Sequence, residues 1–212
     1  MDSDAYKTAS VGSRVSRLES VSSPNEELIL VDSSDRPLGY ATKGQAHKDK
    51  GMLHRAFSIF LFDEQGRVLL HQRSSQKPLW PGFWTNSCCS HPRRGETLLG
   101  AAERRLYEEL GVHGSVHPVY RFEYHASFHS QGSEHELCHV LLSRTHSASC
   151  VSVHPDEIQA VRWCTPEEID DLVSSENDRL TPWFLMEWRE LRDTYRETFD
   201  AFLAGAAGDV AA

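Results

Sequence analysis

The stretch SHPRRGETLLGAAERRLYEELGV, residues 90–112, decides the fold predicted for this chain. Its apolar residues recur at intervals of three and four, the spacing of one face of an α-helix: Leu98, Leu99, Ala102, Leu106 and Leu110. Gly111 follows the last of them and is a common helix stop. We therefore predict a helix that follows a polar loop and ends at Gly111.

Strand-like runs lie on both sides of this helix. HRAFSIFLFD (54–63) and VLLHQR (68–73) flank a turn at Gly66 and predict a hairpin. PVYRFEYHASF, EHELCHVLLSR and IQAVRWCT predict three further strands, and Thr165–Pro166 and Thr181–Pro182 mark the starts of two helices. The second helix is predicted to be long, with an apolar face of Leu185, Trp188, Leu191, Tyr195 and Phe202. The pattern predicts an α/β (α+β) fold, a mixed sheet flanked by helices.

Composition indicates one domain and argues against several classes of protein. The 212 residues are 39% hydrophobic, which suits a single core at residues 26–204, with a flexible leader (1–25) and tail (205–212). A formal charge of −9 disfavours nucleic-acid binding. The longest apolar run, residues 56–62, is far below the roughly 20 residues of a membrane span. An odd number of cysteines, five, without a signal peptide predicts free thiols and a cytoplasmic location.

A set of histidines and glutamates predicts a metal site. Glu134 and Glu136 share one face of a strand, where two carboxylates repel unless a cation or proton lies between them. Alternation on a solvated sheet edge is the simpler alternative. His91 would share a face with Cys89, and His47 and His54 flank the segment before a buried strand. Three imidazoles and two carboxylates would suit Zn²⁺, Mn²⁺ or Mg²⁺, although spacing leaves their convergence open.

The opening stretch resembles the Nudix signature, a loop-helix-loop that binds diphosphate through metal-ligating glutamates. It departs from that signature at two positions. Ser90 stands where the leading glycine belongs, and Arg105 stands where the signature has a glutamate. For a hydrolase this loss removes part of the metal site that activates water, whereas an arginine presents positive charge to phosphate. An exposed ion pair with Glu109 is the simpler interpretation of Arg105.

Five motifs, in order, resemble those of type I isopentenyl-diphosphate isomerases, which are metal-dependent enzymes with a Nudix fold. They are KGQAHKDKGMLHRAFS, QKPLWPGFWTNSCCSHP, GETLLGAAERRLYEELGV, EHELCHV and TPWF. The similarity runs from about Glu27 to the C-terminal helix. It implies interconversion of isopentenyl and dimethylallyl diphosphate in isoprenoid biosynthesis, by protonation and deprotonation through a carbocation.

The resemblance also implies roles for individual residues. In the family pattern TN-x-x-C-x-HP the catalytic cysteine is Cys89, and Cys88 falls at a variable position expected to pack in the core. Glu136, Tyr124 and Trp183 match the other active-site residues. The family's metal ligands match His47, His54, His91, Glu134 and Glu136. Glu109 matches a ligand of Mg²⁺ bound with the substrate, and the diphosphate contacts match Lys43, Arg73, Lys77 and Arg105.

Two alternative functions, and an alternative state of the two adjacent cysteines, are compatible with parts of the sequence. A Nudix hydrolase would leave Cys89 and Trp183 unexplained, and a metal-stabilised binding protein would be expected to have Cys-rich coordination. A strained disulfide between Cys88 and Cys89 is disfavoured in a reducing compartment. No GxGxxG or P-loop pattern occurs, so no nucleotide cofactor is expected, and no flavin is suggested. We expect a monomer or weak oligomer without nucleic-acid or membrane partners.

Overall fold

Strand β3 is the centre of a mixed sheet of nine strands in the described residues. The computed structural model describes residues 21–146, 148–175 and 179–205. The strands are β1 (Glu27–Val31), β2 (Pro37–Thr42), β3 (His54–Phe62), β4 (Val68–Arg73), β5 (Trp84–Thr85), β6 (Cys88–Ser90), β7 (Val116–Phe128), β8 (Gly132–Arg144) and β9 (Ile158–Cys164). The helices are α1 (Lys43–Ala46), α2 (Leu98–Leu110), α3 (Pro166–Ser174), α4 (Pro182–Asp193) and α5 (Arg196–Leu203).

The two edges of β3 bring distant parts of the chain together. One edge pairs with β8 in parallel along the whole strand, from His54 opposite Glu136 to Phe62 opposite Arg144. The other edge pairs antiparallel with β6, where Ser58 lies opposite Cys89. The predicted mixed sheet is therefore confirmed.

The predicted hairpin of β3 and β4 is confirmed, but its strands are paired only next to the turn. The two strands meet at Phe62 and Val68 alone in the register between them. Strand β6 occupies the next part of the β3 edge, and β4 turns away to pair with β9 along its length. The turn at Gly66 therefore joins two neighbouring strands that pair beside the turn and then diverge.

The predicted central helix is confirmed, but the predicted long C-terminal helix is wrong. Helix α2 begins after Thr97, whose hydroxyl accepts a hydrogen bond from Gly100 N, and ends at Gly111 in the left-handed conformation. The C-terminal segment breaks at Thr194 and Tyr195 into α4 and α5. The Tyr195 ring stacks on Tyr120 with centroids 4.5 Å apart. This break lets α5 fold back onto the sheet.

Alternation along the strands separates two buried layers. On β3, Phe57, Ile59 and Leu61 pack in the layer that contains α2. The alternate residues Ala56, Phe60 and Phe62 pack in the layer that contains α3, α4 and α5. The same alternation on β6 directs the adjacent Cys88 and Cys89 into opposite layers.

The structure bears on the prediction that the chain has no membrane span, and on only part of the predicted leader and tail. No helix in the described ranges is long and apolar enough to cross a bilayer. Residues 1–20 of the predicted leader and 206–212 of the predicted tail lie outside the described residues. Residues 21–25, also assigned to the leader, contact the domain: Gly44 N donates to Pro24 O at 2.9 Å.

Candidate active site and metal centre

A cavity of about 550 Å³ opens in the layer that contains α4. Ten of the residues singled out in the sequence line it: Lys43, His47, Arg73, Lys77, Cys89, His91, Tyr124, Glu134, Glu136 and Trp183. His54, Arg105 and Glu109 are almost completely buried and do not line it. The fold therefore gathers most of the predicted site around one space.

Three histidines and two glutamates converge beside this cavity. Potential ligand atoms of His47, His54, His91, Glu134 and Glu136 all lie within 4.8 Å of one another. His47 Nε2 is 2.7 Å from Glu134 Oε2, and His91 Nε2 is 2.8 Å from Glu136 Oε1. The long parallel pairing of β3 with β8 produces this convergence, because it places His54 directly opposite Glu136.

Backbone carbonyls orient two of these imidazoles. His47 Nδ1 is 2.7 Å from Lys43 O, and His54 Nδ1 is 2.7 Å from Met52 O. A carbonyl only accepts hydrogen bonds, so each Nδ1 carries the proton and each Nε2 presents a lone pair to the cluster. His54 Nε2 is buried without a hydrogen-bond partner among the described residues. This donor set fits a divalent cation.

Gly132 holds the His47 loop against β8. Its φ is 151°, and a Cβ atom placed there would lie 2.4 Å from His47 O. The neighbouring Ser133 N donates to that same oxygen at 3.0 Å. A side chain at position 132 would therefore displace the backbone that carries a candidate ligand.

We expect Gly132→Ala to weaken metal binding about tenfold or more, because His47 O cannot remain where a methyl group must go. Titration of the metal-free variant with Mn²⁺ or Zn²⁺ measures the effect. Gly39→Ala is the control, since nothing lies within 4 Å of a Cβ there. Equal affinities for the two variants would contradict the expectation.

Cys89 is hydrogen-bonded in a way that keeps its thiol protonated. Asn86 Nδ2 donates to Ile59 O and Cys88 O, so its Oδ1 faces Cys89 and accepts from Sγ at 2.8 Å. Burial raises the pKa of the Cys89 thiol to about 12, and Glu187 contributes to the rise. Cys89 therefore holds a proton at the cavity wall.

Cys88 has a different environment. It is completely buried in the α2 layer, as expected of a packing residue. Both neighbouring thiols are free, so the described chain contains no Cys88–Cys89 disulfide.

Glu136 lies across β3 from Cys89. Its Oε2 accepts a hydrogen bond of 2.7 Å from the Tyr124 hydroxyl. Burial alone would raise the pKa of Glu136, but His54 and Tyr124 lower it. The cavity is therefore bounded by a thiol that carries a proton and a carboxylate that can accept one, on strands at opposite edges of β3.

The cationic residues fall into two groups. Lys43 Nζ donates to Ser22 Oγ at 2.6 Å, and the Arg73 guanidinium donates to Leu79 O and Trp80 O while lying over the Trp183 ring. Arg73 therefore also stabilises the loop that contains Leu79 and Trp80.

Lys77 and Arg105 form a second group with two acidic residues. Lys77 Nζ is 2.5 Å from Glu157 Oε2, and Arg105 Nη2 is 2.5 Å from Glu109 Oε1 and 3.5 Å from Glu157 Oε1. Burial alone would raise the pKa of Glu157, but Lys77 and Arg105 hold it far below its usual range. Arg105 also donates to Val21 O. The ion pair between Arg105 and Glu109 exists, but it is buried rather than exposed.

Four polar residues of this site are not distinguished by the sequence: Ser58, Asn86, Glu157 and Glu187. Asn86 lies in the TN motif of the family pattern, and this is the sequence feature that comes closest to indicating its role. Nothing in the local sequence separates Glu157 or Glu187 from ordinary surface acids. Both are buried because strands and helices from other parts of the chain cover them.

Comparison with known proteins identifies the family. The NUDIX domain model matches residues 52–184. The isopentenyl-diphosphate Delta-isomerase of Nocardia farcinica is 43% identical over 173 residues, which cover 80% of this chain and 96% of that protein. The chain belongs to the isopentenyl-diphosphate Delta-isomerase family.

Other comparisons agree with this membership. The isopentenyl-diphosphate Delta-isomerase of Serratia proteamaculans is 40% identical over 79% of this chain and 92% of its own length. Among solved structures, DR0079 from Deinococcus radiodurans covers 78% of this chain and 98% of its own, with a TM-score of 0.63 at 23% identity. That likeness concerns the fold, and it confirms the Nudix architecture of this isomerase-family chain.

Proposed function

We propose that the chain interconverts isopentenyl diphosphate and dimethylallyl diphosphate in isoprenoid biosynthesis, by proton addition and removal through a carbocation. The observation that carries the proposal is the placement of Cys89 and the Tyr124–Glu136 pair around one cavity beside the His/Glu cluster. The activity is that of the family to which the chain belongs.

The reaction requires an acid and a base on opposite sides of the substrate. An unactivated alkene is a poor base, and its allylic C–H bond is a poor acid. Protonation of the alkene forms a tertiary carbocation, whose neighbouring C–H bond becomes strongly acidic. We assign the two proton exchanges to Cys89 Sγ and the Glu136 carboxylate, with Tyr124 orienting the carboxylate. Trp183 lines the cavity, and a cation over its ring would be stabilised by up to about 2 kcal/mol.

A divalent metal fits beside these groups. His47, His54, His91, Glu134 and Glu136 would hold Mn²⁺, Zn²⁺ or Mg²⁺. When bound, the metal supplies positive charge that holds Glu136 in place and tunes its proton affinity. Glu136 would then be held by the metal as well as by its hydrogen bond from Tyr124.

The substrate diphosphate is assigned to the cationic end of the cavity. Lys43, Arg73 and Lys77 line the cavity, and Arg105 and Glu109 lie behind Lys77. Glu109 would contribute to an Mg²⁺ ion bound with the diphosphate. Firm binding of the leaving group matters, because an allylic diphosphate ionises readily beside a site that stabilises cations.

Lys77→Gln is expected to raise the KM for isopentenyl diphosphate about tenfold, with a smaller effect on kcat. The change removes a diphosphate cation but leaves Arg105 to neutralise Glu157. Steady-state kinetics measure it, with the exposed Lys50→Gln as control. A KM that matches the control would remove Lys77 from the diphosphate site.

The strongest competing function is hydrolysis of a diphosphate by a Nudix enzyme. Arg105 replaces a signature carboxylate here, and the loss of that ligand disfavours the water-activating metal site of a hydrolase. Proton NMR of the protein with isopentenyl diphosphate and Mg²⁺ in D₂O distinguishes the two. Dimethylallyl diphosphate carrying deuterium supports isomerisation, whereas phosphate release without a bond shift would establish hydrolysis.

The proposal includes a cytoplasmic location and a monomeric or weakly oligomeric state. The free thiols of the described cysteines favour the first. Size-exclusion chromatography with light scattering tests the second.

A further inference from the structure

An acidic residue lines the cationic end of the cavity, to which the substrate diphosphate is assigned. Glu157 is 5% exposed and forms part of the cavity wall together with Lys43 and Lys77. Its carboxylate is paired with cations and carries a charge at neutral pH. A carboxylate at short range repels an anionic ligand. Glu157 therefore opposes diphosphate binding unless it also has an effect that favours it.

Glu157 bridges two cations from distant parts of the chain. Its Oε2 is 2.5 Å from Lys77 Nζ, and its Oε1 is 3.5 Å from Arg105 Nη2. Lys77 lies in the loop between β4 and β5, whereas Arg105 lies on α2. Without a carboxylate between them the two cations would repel each other. Glu157 therefore holds the Lys77 ammonium close to Arg105.

The backbone of Glu157 fixes the position of this carboxylate. Its carbonyl accepts a hydrogen bond of 2.9 Å from Ser74 N, and Lys77 N donates to Ser74 O at 3.1 Å. On the other side, Glu157 N donates to His154 O at 3.1 Å, and His154 N donates to Glu109 O at 2.9 Å. This segment thus joins the turn that carries Lys77 to helix α2. The carboxylate is held in place by the protein itself, independently of any substrate.

The two cations differ in how much they depend on Glu157. Arg105 Nη2 is 2.5 Å from Glu109 Oε1, and its Nη1 is 3.3 Å from Glu108 Oε2, so Arg105 has other acidic partners. Lys77 makes no second ion pair in the part of the chain that the structure describes. Its side chain is a flexible four-carbon stem, which loses conformational entropy when it is ordered. Loss of Glu157 would therefore release Lys77 while Arg105 stays held.

We propose that Glu157 is a positioning residue for diphosphate binding, which holds Lys77 at the cavity wall where its ammonium contacts the substrate diphosphate. This inference rests on the proposed function for the assignment of the diphosphate to this end of the cavity. A cation that is already ordered binds an anion more tightly, because no further ordering is needed on binding. This gain outweighs the repulsion between Glu157 and the ligand. A mere counter-ion would act in the opposite direction, since its removal makes the site more positive.

Titration of the metal-loaded protein with inorganic pyrophosphate and Mg²⁺ tests the sign of the effect. Glu157→Gln keeps the shape of the side chain but loses its charge, and calorimetry is expected to show about tenfold weaker binding. With isopentenyl diphosphate the KM should rise by a similar factor, while kcat stays within about threefold of wild type. Unchanged or tighter binding of pyrophosphate would overturn the proposal.

Asp156→Asn is the control for the change in charge, because it removes one negative charge from the neighbouring residue. Asp156 also lines the cavity but, unlike Glu157, makes no ion pair within the described residues. Its affinity for pyrophosphate is expected to equal that of the wild-type protein or to rise. An equal loss of affinity in both variants would contradict a role that depends on the contact with Lys77.

A double variant shows whether Glu157 acts through Lys77. In the Lys77→Gln background only the repulsion by Glu157 remains, so adding Glu157→Gln is expected to leave pyrophosphate binding unchanged or to tighten it. If Glu157 instead bound Mg²⁺ directly, its substitution would weaken binding in both backgrounds. A further loss of affinity in the double variant would therefore rule out the route through Lys77.

Glu157→Asp provides a second test if Glu157→Gln does not fold. It keeps the charge but withdraws the carboxylate from Lys77 Nζ by one methylene group. We expect pyrophosphate binding to weaken several-fold for this reason. Wild-type affinity in this variant would show that the charge alone matters, and the positioning role would fail.

The pyrophosphate measurement separates this inference from the proposed function, because it requires no isomerisation. If the wild-type protein binds pyrophosphate more tightly than Glu157→Gln but does not isomerise the substrate, the proposed function fails and the positioning role stands. If it isomerises the substrate and the two proteins bind pyrophosphate equally, the proposed function stands and the positioning role fails. A wild-type protein that does not bind pyrophosphate would also refute the positioning role.

Discussion

Cys89→Ala is expected to lower kcat for isomerisation by about 10³-fold, within the range typical of removing a general acid or base. Cys89 Sγ is the proton-bearing atom at the cavity wall, and alanine leaves no group there that can exchange a proton. Proton NMR of dimethylallyl diphosphate formed in D₂O measures the loss. Retention of more than a tenth of the wild-type rate would remove Cys89 from the chemistry.

Cys88→Ala is the matched control, because it removes the same thiol group from the neighbouring residue. Cys88 is buried against α2 and faces away from the cavity. We expect it to retain activity within about threefold while losing about 1 kcal/mol of stability through the cavity it leaves. A large loss of activity in a folded Cys88→Ala protein would show that the assignment of the two cysteines is reversed.

His54→Gln is expected to abolish binding of the divalent metal and, with it, isomerisation. His54 is completely buried, and its Nε2 faces the cluster without another hydrogen-bond partner in the described chain. A metal at 1,000 times its Kd stabilises the folded state by about 4 kcal/mol, and the variant should lose that stabilisation. Melting curves with metal and with chelator, together with metal analysis, measure both effects without relying on activity.

His71→Gln is the control for removing a buried imidazole. His71 lies outside the cluster, and its Nδ1 is 3.0 Å from Ser87 O. We expect a lower Tm in both the presence and the absence of metal, with an unchanged difference between the two. A wild-type Tm that does not respond to metal would argue against a bound metal at the cluster.

Local sequence patterns predicted those helices and strands whose apolar residues are spaced by the need to bury one face. Helix α2 buries Ala102, Leu106 and Leu110, and its left-handed end at Gly111 is a local property of glycine. In strands β7, β8 and β9 the apolar residues either alternate with polar residues or follow one another, as expected for strands with one or both faces buried. The C-terminal segment keeps helical periodicity across Tyr195, so its break was invisible until the stacking of Tyr195 on Tyr120 was known.

The sequence by itself determined the fold class, the family resemblance and the candidate residues of the cavity, because these depend on residue types in a fixed order. Only the tertiary structure decided that His54 lies opposite Glu136, that Cys89 faces the cavity while Cys88 faces α2, and that Glu157 and Glu187 are buried. Strand register and helix packing join positions separated by 80 residues or more, as between His54 and Glu136. Glu157 and Glu187 are ordinary acids in the printed sequence and become buried because distant strands and helices cover them.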